Sequence, residues 1–230
     1  KISEIVHAHG KILIVDEAHG AHLAFMDKIA PFRGDIKNQH SKAQKLAAEA
    51  SGADIAILST HKTLASFTQT AILLVCSDRV DVDTIANNLQ ILQSSSPSYI
   101  LMASLDLNAR IIEEYGDALF KEWQADLDYA YEELRKIQGL ELLEMELLDR
   151  TKLVFGLSEI GISGYELDAL LRERGIFCEL SDSRFVMAMS GIGSKRKDYE
   201  LLISALNEIA EQACESGRNS VSREEDEIVL

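Results

Sequence analysis

The chain has 230 residues, with 23 Lys+Arg against 38 Asp+Glu for a formal net charge of −15, and 47% of its residues are hydrophobic. That composition excludes disorder for the bulk of the chain and provides core material for one large domain or a large and a small one. The clustered positive charge of an extended nucleic-acid footprint is missing, and no apolar run approaches the ~20 residues of a bilayer span, so neither nucleic acid nor membrane is an expected partner. Cys76, Cys178 and Cys214 are odd in number, widely spaced and without a CxxC pair, which argues against a disulfide framework and a zinc site and for a cytoplasmic location.

Lys11 to Asp16 (KILIVD) reads as a strand buried on both faces and ending in an acid. Residues Asn38 to Ser51 carry a helical pattern that Gly52 suits as a C-cap. Asp54 to Ser59 is a second buried strand, followed by a polar turn with His61, Lys62 and Thr63, and Ala71 to Cys76 is a third. Apolar strands alternating with helical or long connections predict an α/β fold with a mostly parallel sheet, whose ligands sit at the strand C-terminal ends. Asp16 and the run Ser59 to Lys62 both fall at such ends.

After a Ser-rich loop, Leu105, Ile112, Leu119, Trp123, Leu127, Tyr131 and Leu134 recur near the helical period, predicting a long helix to about Gln138 with a bend near Gly116. Trp123 and its stripe read as core. Strand Lys152 to Leu157, helix Gly164 to Arg174, strands Phe177 to Leu180 and Arg184 to Met189, and helix Lys197 to Cys214 then predict a small α+β domain. The expected division is 1–138, 139–216 and an acidic tail, 217–230. The chain begins at Lys1 rather than Met, and it is expected to be part of a longer protein.

Two chemistries compete for the string Asp16-Glu17-Ala18-His19. An NTPase acid motif of the DEAH type would use Asp16 for Mg²⁺, but it requires a phosphate loop ending in Lys-Ser/Thr, which the sequence lacks. In the other, Asp16 keeps the ring nitrogen of pyridoxal phosphate protonated and Lys62, 62 − 16 = 46 residues later, forms the Schiff base with its aldehyde. A metal site on His19 and His22 lacks further ligands at recognisable spacing. His22 reads as a supporting or structural residue, and His7 and His9 carry no clear signal.

The runs ILIVDEAHGAHLAF and GADIAILSTHKTLASFTQTAILLV resemble the fold type I pyridoxal-phosphate enzymes, specifically the major domain of the bacterial ornithine/lysine/arginine decarboxylases. The resemblance is strong over Ile12 to Ala109 and extends beyond only in element order. It implies that Asp16 pairs with the pyridine nitrogen, that Ala18 packs under the ring, and that His19 lies near the phenolic oxygen. It also implies Lys62 as the Schiff-base lysine, with Ser59 and His61 near the phosphate, and a loop with Ser95, Ser96 and Tyr99 approaching a neighbouring subunit's site. The implied reaction is decarboxylation of arginine, lysine or ornithine, with a weak preference for arginine, in a homodimer or higher homo-oligomer. Which bond breaks rests on the resemblance alone, and aminotransferase or aldolase chemistry and a non-catalytic interaction role stay open. Family members are longer than this chain. A complementary N-terminal segment is therefore expected to complete the cofactor shell, and the chain alone is expected to bind the cofactor weakly.

Overall fold

The structure is a computed structural model in which residues 2–29, 46–145 and 148–216 are described. The chain divides into two compact units, Lys1–Gln124 with Gly191–Gly193, and Ala125–Ser190 with Ser194–Leu230. The acidic tail, 217–230, lies outside the described residues.

The first unit runs α1 (Ile2–Ala8), β1 (Ile14–Asp16), α2 (Leu23–Ile29), β2 (Ile55–Ser59), α3 (Thr60–Thr63), β3 (Ala71–Val75), α4 (Val82–Leu92) and the first part of α5 (Tyr99–Leu134). Strand β1 pairs parallel with β2, in register from Ile14↔Ile55 to Asp16↔Ile57. Strand β3 returns antiparallel, from Ile55↔Val75 to Ser59↔Ala71. A parallel crossover needs a dozen or more residues, usually a helix long enough to recross the sheet, and the connection here holds only the single turn of α3. The register puts Val15, Ala56 and Leu74 on one face, where they pack with Ala48, Ala53 and Cys76.

The expectation that the first strand is buried on both faces is corrected: Ile14 is 58% exposed and Asp16 is exposed. Among the described residues, the core cluster packs on the face that carries Val15. Of the helix expected over Asn38 to Ser51, residues 38–45 lie outside the described residues. Its end is a 3-10 turn at Glu49–Ser51, closed by Gly52 with φ of 93°. Helices α1, α2 and α4 were not anticipated. In α4 no residue is buried, so a strong inward stripe is missing, yet Asp81 caps its start by accepting from Asp83 N at 3.1 Å and Thr84 Oγ1 at 2.6 Å.

Away from the strand C-terminal ends, fully buried Asp54 ties three segments together. Its carboxylate accepts from Leu13 N at 2.8 Å and Ser77 Oγ at 2.5 Å and bonds His7 Nε2 at 2.8 Å. The Leu13 amide, then Ser77 and His7, hold its carboxyl down at about 2.

The second unit takes the end of α5, then β4 (Glu141–Leu142), β5 (Lys152–Gly156), α6 (Gly164–Glu173), β6 (Leu180–Ser181), β7 (Val186–Met189) and α7 (Arg196–Glu215). Its antiparallel sheet has the order β4-β5-β7-β6. Phe155, Leu157, Leu167, Leu171, Val186 and Leu206 are fully buried, matching the α+β arrangement expected for this half. Ser163 caps α6 by accepting from Glu166 N at 3.2 Å.

The division between the units falls inside α5, after Gln124, rather than at the expected 138/139. Leu127, Ala130, Tyr131 and Leu134 are buried as part of the second unit, where the Arg150 guanidinium lies 4.5 Å from the Tyr131 ring centroid.

Candidate functional site

The parallel register sets Asp16 beside Ile57, at the same sheet end from which β2 runs on through Ser59 into α3. Directly after Asp16 the chain turns. Asp16 Oδ1 accepts from Ala18 N at 3.1 Å, Glu17 N continues the ladder to Ile57 O at 2.9 Å, and Gly20 N returns to Glu17 O at 2.8 Å. The Glu17 carboxylate adds a long-range tie by accepting from Ala48 N at 3.0 Å.

This turn delivers His19 to Lys62. Lys62 Nζ and His19 Nε2 are 2.9 Å apart, and both side chains are half-buried. A protonated amine only donates, so Nε2 is the acceptor while Lys62 is charged, and the ring's other nitrogen then carries the proton. Three residues on, fully buried His22 lies against Trp123 with ring centroids 5.3 Å apart, and Phe25 stacks on Phe120 at 5.1 Å. One segment thus offers His19 to the site and anchors itself to α5 through His22.

On the neighbouring strand, Ser59 occupies the N-cap position of α3 but makes no capping bond with its side chain. His61 Nδ1 donates to Thr70 O at 2.9 Å, because a carbonyl oxygen can only accept, which leaves Nε2 as its second functional atom. The hydroxyls of Thr60, Ser66 and Thr70, all buried, lie within 2.7 to 2.9 Å of one another beneath this turn. Thr63 is buried too, and its hydroxyl oxygen has no hydrogen-bond partner among the described residues.

Of the residues expected from the sequence, His19 and Lys62 are in contact, Asp16 sits one strand over at the same sheet end, Ala18 is half-buried in the turn after Asp16, and Ser59 and His61 precede Lys62 in the chain. Ser95, Ser96 and Tyr99 are exposed. Among the described residues no group of three or more His, Cys, Asp or Glu is placed to hold a metal ion, and no helix is long and apolar enough to cross a membrane.

Sequence reasoning missed Ser104 and Asn108. They are buried and one helical turn apart on α5. Their i, i+4 spacing is the one local signal that the two polar side chains share a helix face.

The fold and the strand-end site define the class: this is the architecture of the fold type I pyridoxal-phosphate enzymes. Lysine decarboxylase A from Pseudomonas aeruginosa superposes with a TM-score of 0.65 at 22% identity, covering 90% of this chain and 33% of that one. Alanine–glyoxylate aminotransferase from Nostoc sp. gives a TM-score of 0.60 at 20% identity, covering 90% of this chain and 56% of that one. At these identities the likeness carries the fold and not the reaction.

The family model described as Orn/Lys/Arg decarboxylase, major domain, matches residues 1–155, and the chain belongs to that family. Arginine decarboxylase from Bacillus subtilis (strain 168) is 31% identical over 238 aligned positions, covering 100% of this chain and 45% of that protein. The chain therefore spans less than half the length of the curated relatives it matches. Family membership leaves the NTPase reading of the DEAH string without support.

The donor set fits pyridoxal phosphate. A carboxylate and an amine at adjacent strand ends suit its ring nitrogen and aldehyde, and small Ala18 and Gly20 limit side-chain bulk in the turn. The Ser59 hydroxyl, with no capping bond, is available to an anionic group.

Proposed function

We propose that the chain supplies the lysine and ring-nitrogen side of the active site in a pyridoxal-phosphate-dependent decarboxylase of basic amino acids, with arginine as the favoured substrate. The observation that carries this reading is the 2.9 Å contact between Lys62 Nζ and His19 Nε2, beside the strand end that bears Asp16. The relatives named arginine decarboxylase support the choice of substrate.

Pyridoxal phosphate, when bound, supplies an electron sink for the carbon that loses its carboxylate. The Asp16 carboxylate would hold the ring nitrogen and keep it protonated, because an opposite charge favours the ionised pair. Lys62 Nζ is the amine that would hold the cofactor through its aldehyde group. His19 Nε2 accepts from that Nζ while the lysine is charged, which orients the amine and offers a place for its proton. The Ser59 hydroxyl and His61 would hold the phosphate, His61 with its ring fixed by the Nδ1 bond to Thr70 O.

Borohydride reduction after incubation of the intact protein with pyridoxal phosphate tests the assignment. The expected result is a single pyridoxyl adduct on Lys62, lost in Lys62→Ala, with decarboxylation reduced by at least about 10³-fold in that variant. An adduct on another lysine, or full activity in Lys62→Ala, overturns it.

The proposed assembly is a homo-oligomer. Ile91, Leu92, Tyr99 and Ile100, at the end of α4 and the start of α5, are 79, 83, 81 and 68% exposed, large apolar side chains that a neighbouring subunit would cover.

A further inference from the structure

We propose that Ser104 and Asn108 of α5 are positioning residues for Lys62. The inference rests on the reading that Lys62 bonds the cofactor, and it goes beyond that reading by naming what holds the lysine in place.

The segment after Lys62 is pinned at successive points. Ala65 N donates to Asn108 Oδ1 at 2.9 Å, and Phe67 N donates to Ser104 Oγ at 2.7 Å. Ser66 Oγ donates to Thr60 Oγ1 at 2.7 Å, Thr60 Oγ1 lies 2.9 Å from Thr70 Oγ1, and Thr70 Oγ1 donates to Phe67 O at 2.7 Å. If each hydroxyl donates once, the protons run in one direction, from Ser66 to Thr60 to Thr70 to the Phe67 carbonyl. The Phe67 peptide is thereby held on both sides, by Thr70 at its carbonyl and by Ser104 at its amide. Ahead of this loop, Thr63 O accepts from Ile192 N at 3.0 Å. Lys62 thus sits on a one-turn helix whose following residues, Thr63, Ala65 and Phe67, all have fixed backbone contacts.

Two observations separate positioning from ordinary packing. Ser104 and Asn108 are 9% and 5% exposed, and burying polar atoms on a helix face costs free energy unless they are paired. Their partners are amides within five residues of Lys62, so the polar pair acts on that segment. The same loop also holds Gln69 at φ of 72°, a left-handed conformation that a non-glycine residue keeps only where its surroundings impose it.

The test uses the intact protein and two readouts besides turnover: the fraction of Lys62 trapped by borohydride with pyridoxal phosphate, and the ring-nitrogen chemical shifts of His19 in cofactor-free, ¹⁵N-histidine-labelled protein. Lys62→Met provides the His19 shifts without the amine. In Ser104→Ala and Asn108→Leu, with helical content retained by circular dichroism, the trapped fraction is expected to fall about tenfold and the His19 shifts to move toward those of Lys62→Met. Ser104→Thr and Asn108→Asp keep an acceptor oxygen and are expected to restore trapping to within about twofold of the parent. Should Asn108→Leu fail to fold, Ser104→Ala, which deletes one oxygen, decides. Folded Ser104→Ala that traps Lys62 and shifts His19 as the parent does overturns the positioning role while leaving the cofactor reading intact. A parent protein that traps a different lysine overturns both.

Discussion

Asp54 and Lys62 show two ways a polar side chain is used in the first unit. Lys62 is half-buried with its amine against an imidazole, an arrangement suited to exchanging a proton, whereas Asp54 is fully buried and saturated by donors. The Asp54 carboxyl is held at about 2, below its ordinary 3.8, chiefly by the Leu13 amide and the Ser77 hydroxyl. A folded value depressed below the unfolded one contributes stability that is present above 3.8 and lost as pH falls through about 2. Urea midpoints measured across that range should fall with pH in the parent. In Asp54→Asn this component of the slope should be absent and the protein less stable at neutral pH, because a neutral amide loses the charge-assisted bonds that the carboxylate accepts from Leu13 N and Ser77 Oγ. Equal acid slopes in the two proteins would contradict the assignment. In the second unit, burial pushes the Cys178 thiol up to about 11, which disfavours its thiolate.

The second unit illustrates how close approach of elements fixes a helix start. A Cβ at Gly164 would overlap the carbonyl oxygens of Asp182 and Phe185, so α6 can begin there only with glycine. Gly164→Ala should cost about 1–3 kcal/mol, read as a lower urea midpoint with unchanged denaturant slope. Leu206→Ala on α7 removes a fully buried side chain and should cost about 2–5 kcal/mol. If both substitutions prove neutral, the packing of α6 and α7 described here is wrong. The same logic governs α5. It is apolar and buried at Phe120, Trp123, Leu127 and Leu134, whereas the buried Ser104 and Asn108 nearer its start are polar because loop amides are there to be paired.

For the whole molecule, the charge of −15 and the exposed apolar side chains act in opposite directions. Net charge opposes non-specific association, whereas Ile91, Leu92, Tyr99 and Ile100 favour a specific apolar contact. Sedimentation of the intact protein should therefore show a homo-oligomer that persists at high salt, since apolar burial is not screened, and Ile100→Asp should weaken it by about tenfold or more. A monomer at micromolar concentration in the parent would remove the proposed assembly.

Much of the fold was legible because its signals are local. The aliphatic runs that became β2 and β3, the glycine closing the turn at Glu49–Ser51, the long period of α5 and the order of elements after Lys152 all report short-range propensity or one buried face. The residue types at the strand ends, Asp16, His19 and Lys62, were legible for the same reason, as chemistry written at a fixed point in a local pattern. Tertiary structure alone decided the antiparallel return of β3, the exposed side of β1, the division between units inside α5, the bond from His19 to Lys62 across 43 residues and the pairing of Asn108 with Ala65. Each of these depends on which distant group supplies the other half of a contact. A sequence pattern states that a side chain is apolar or can hydrogen-bond, and only packing in three dimensions settles with what.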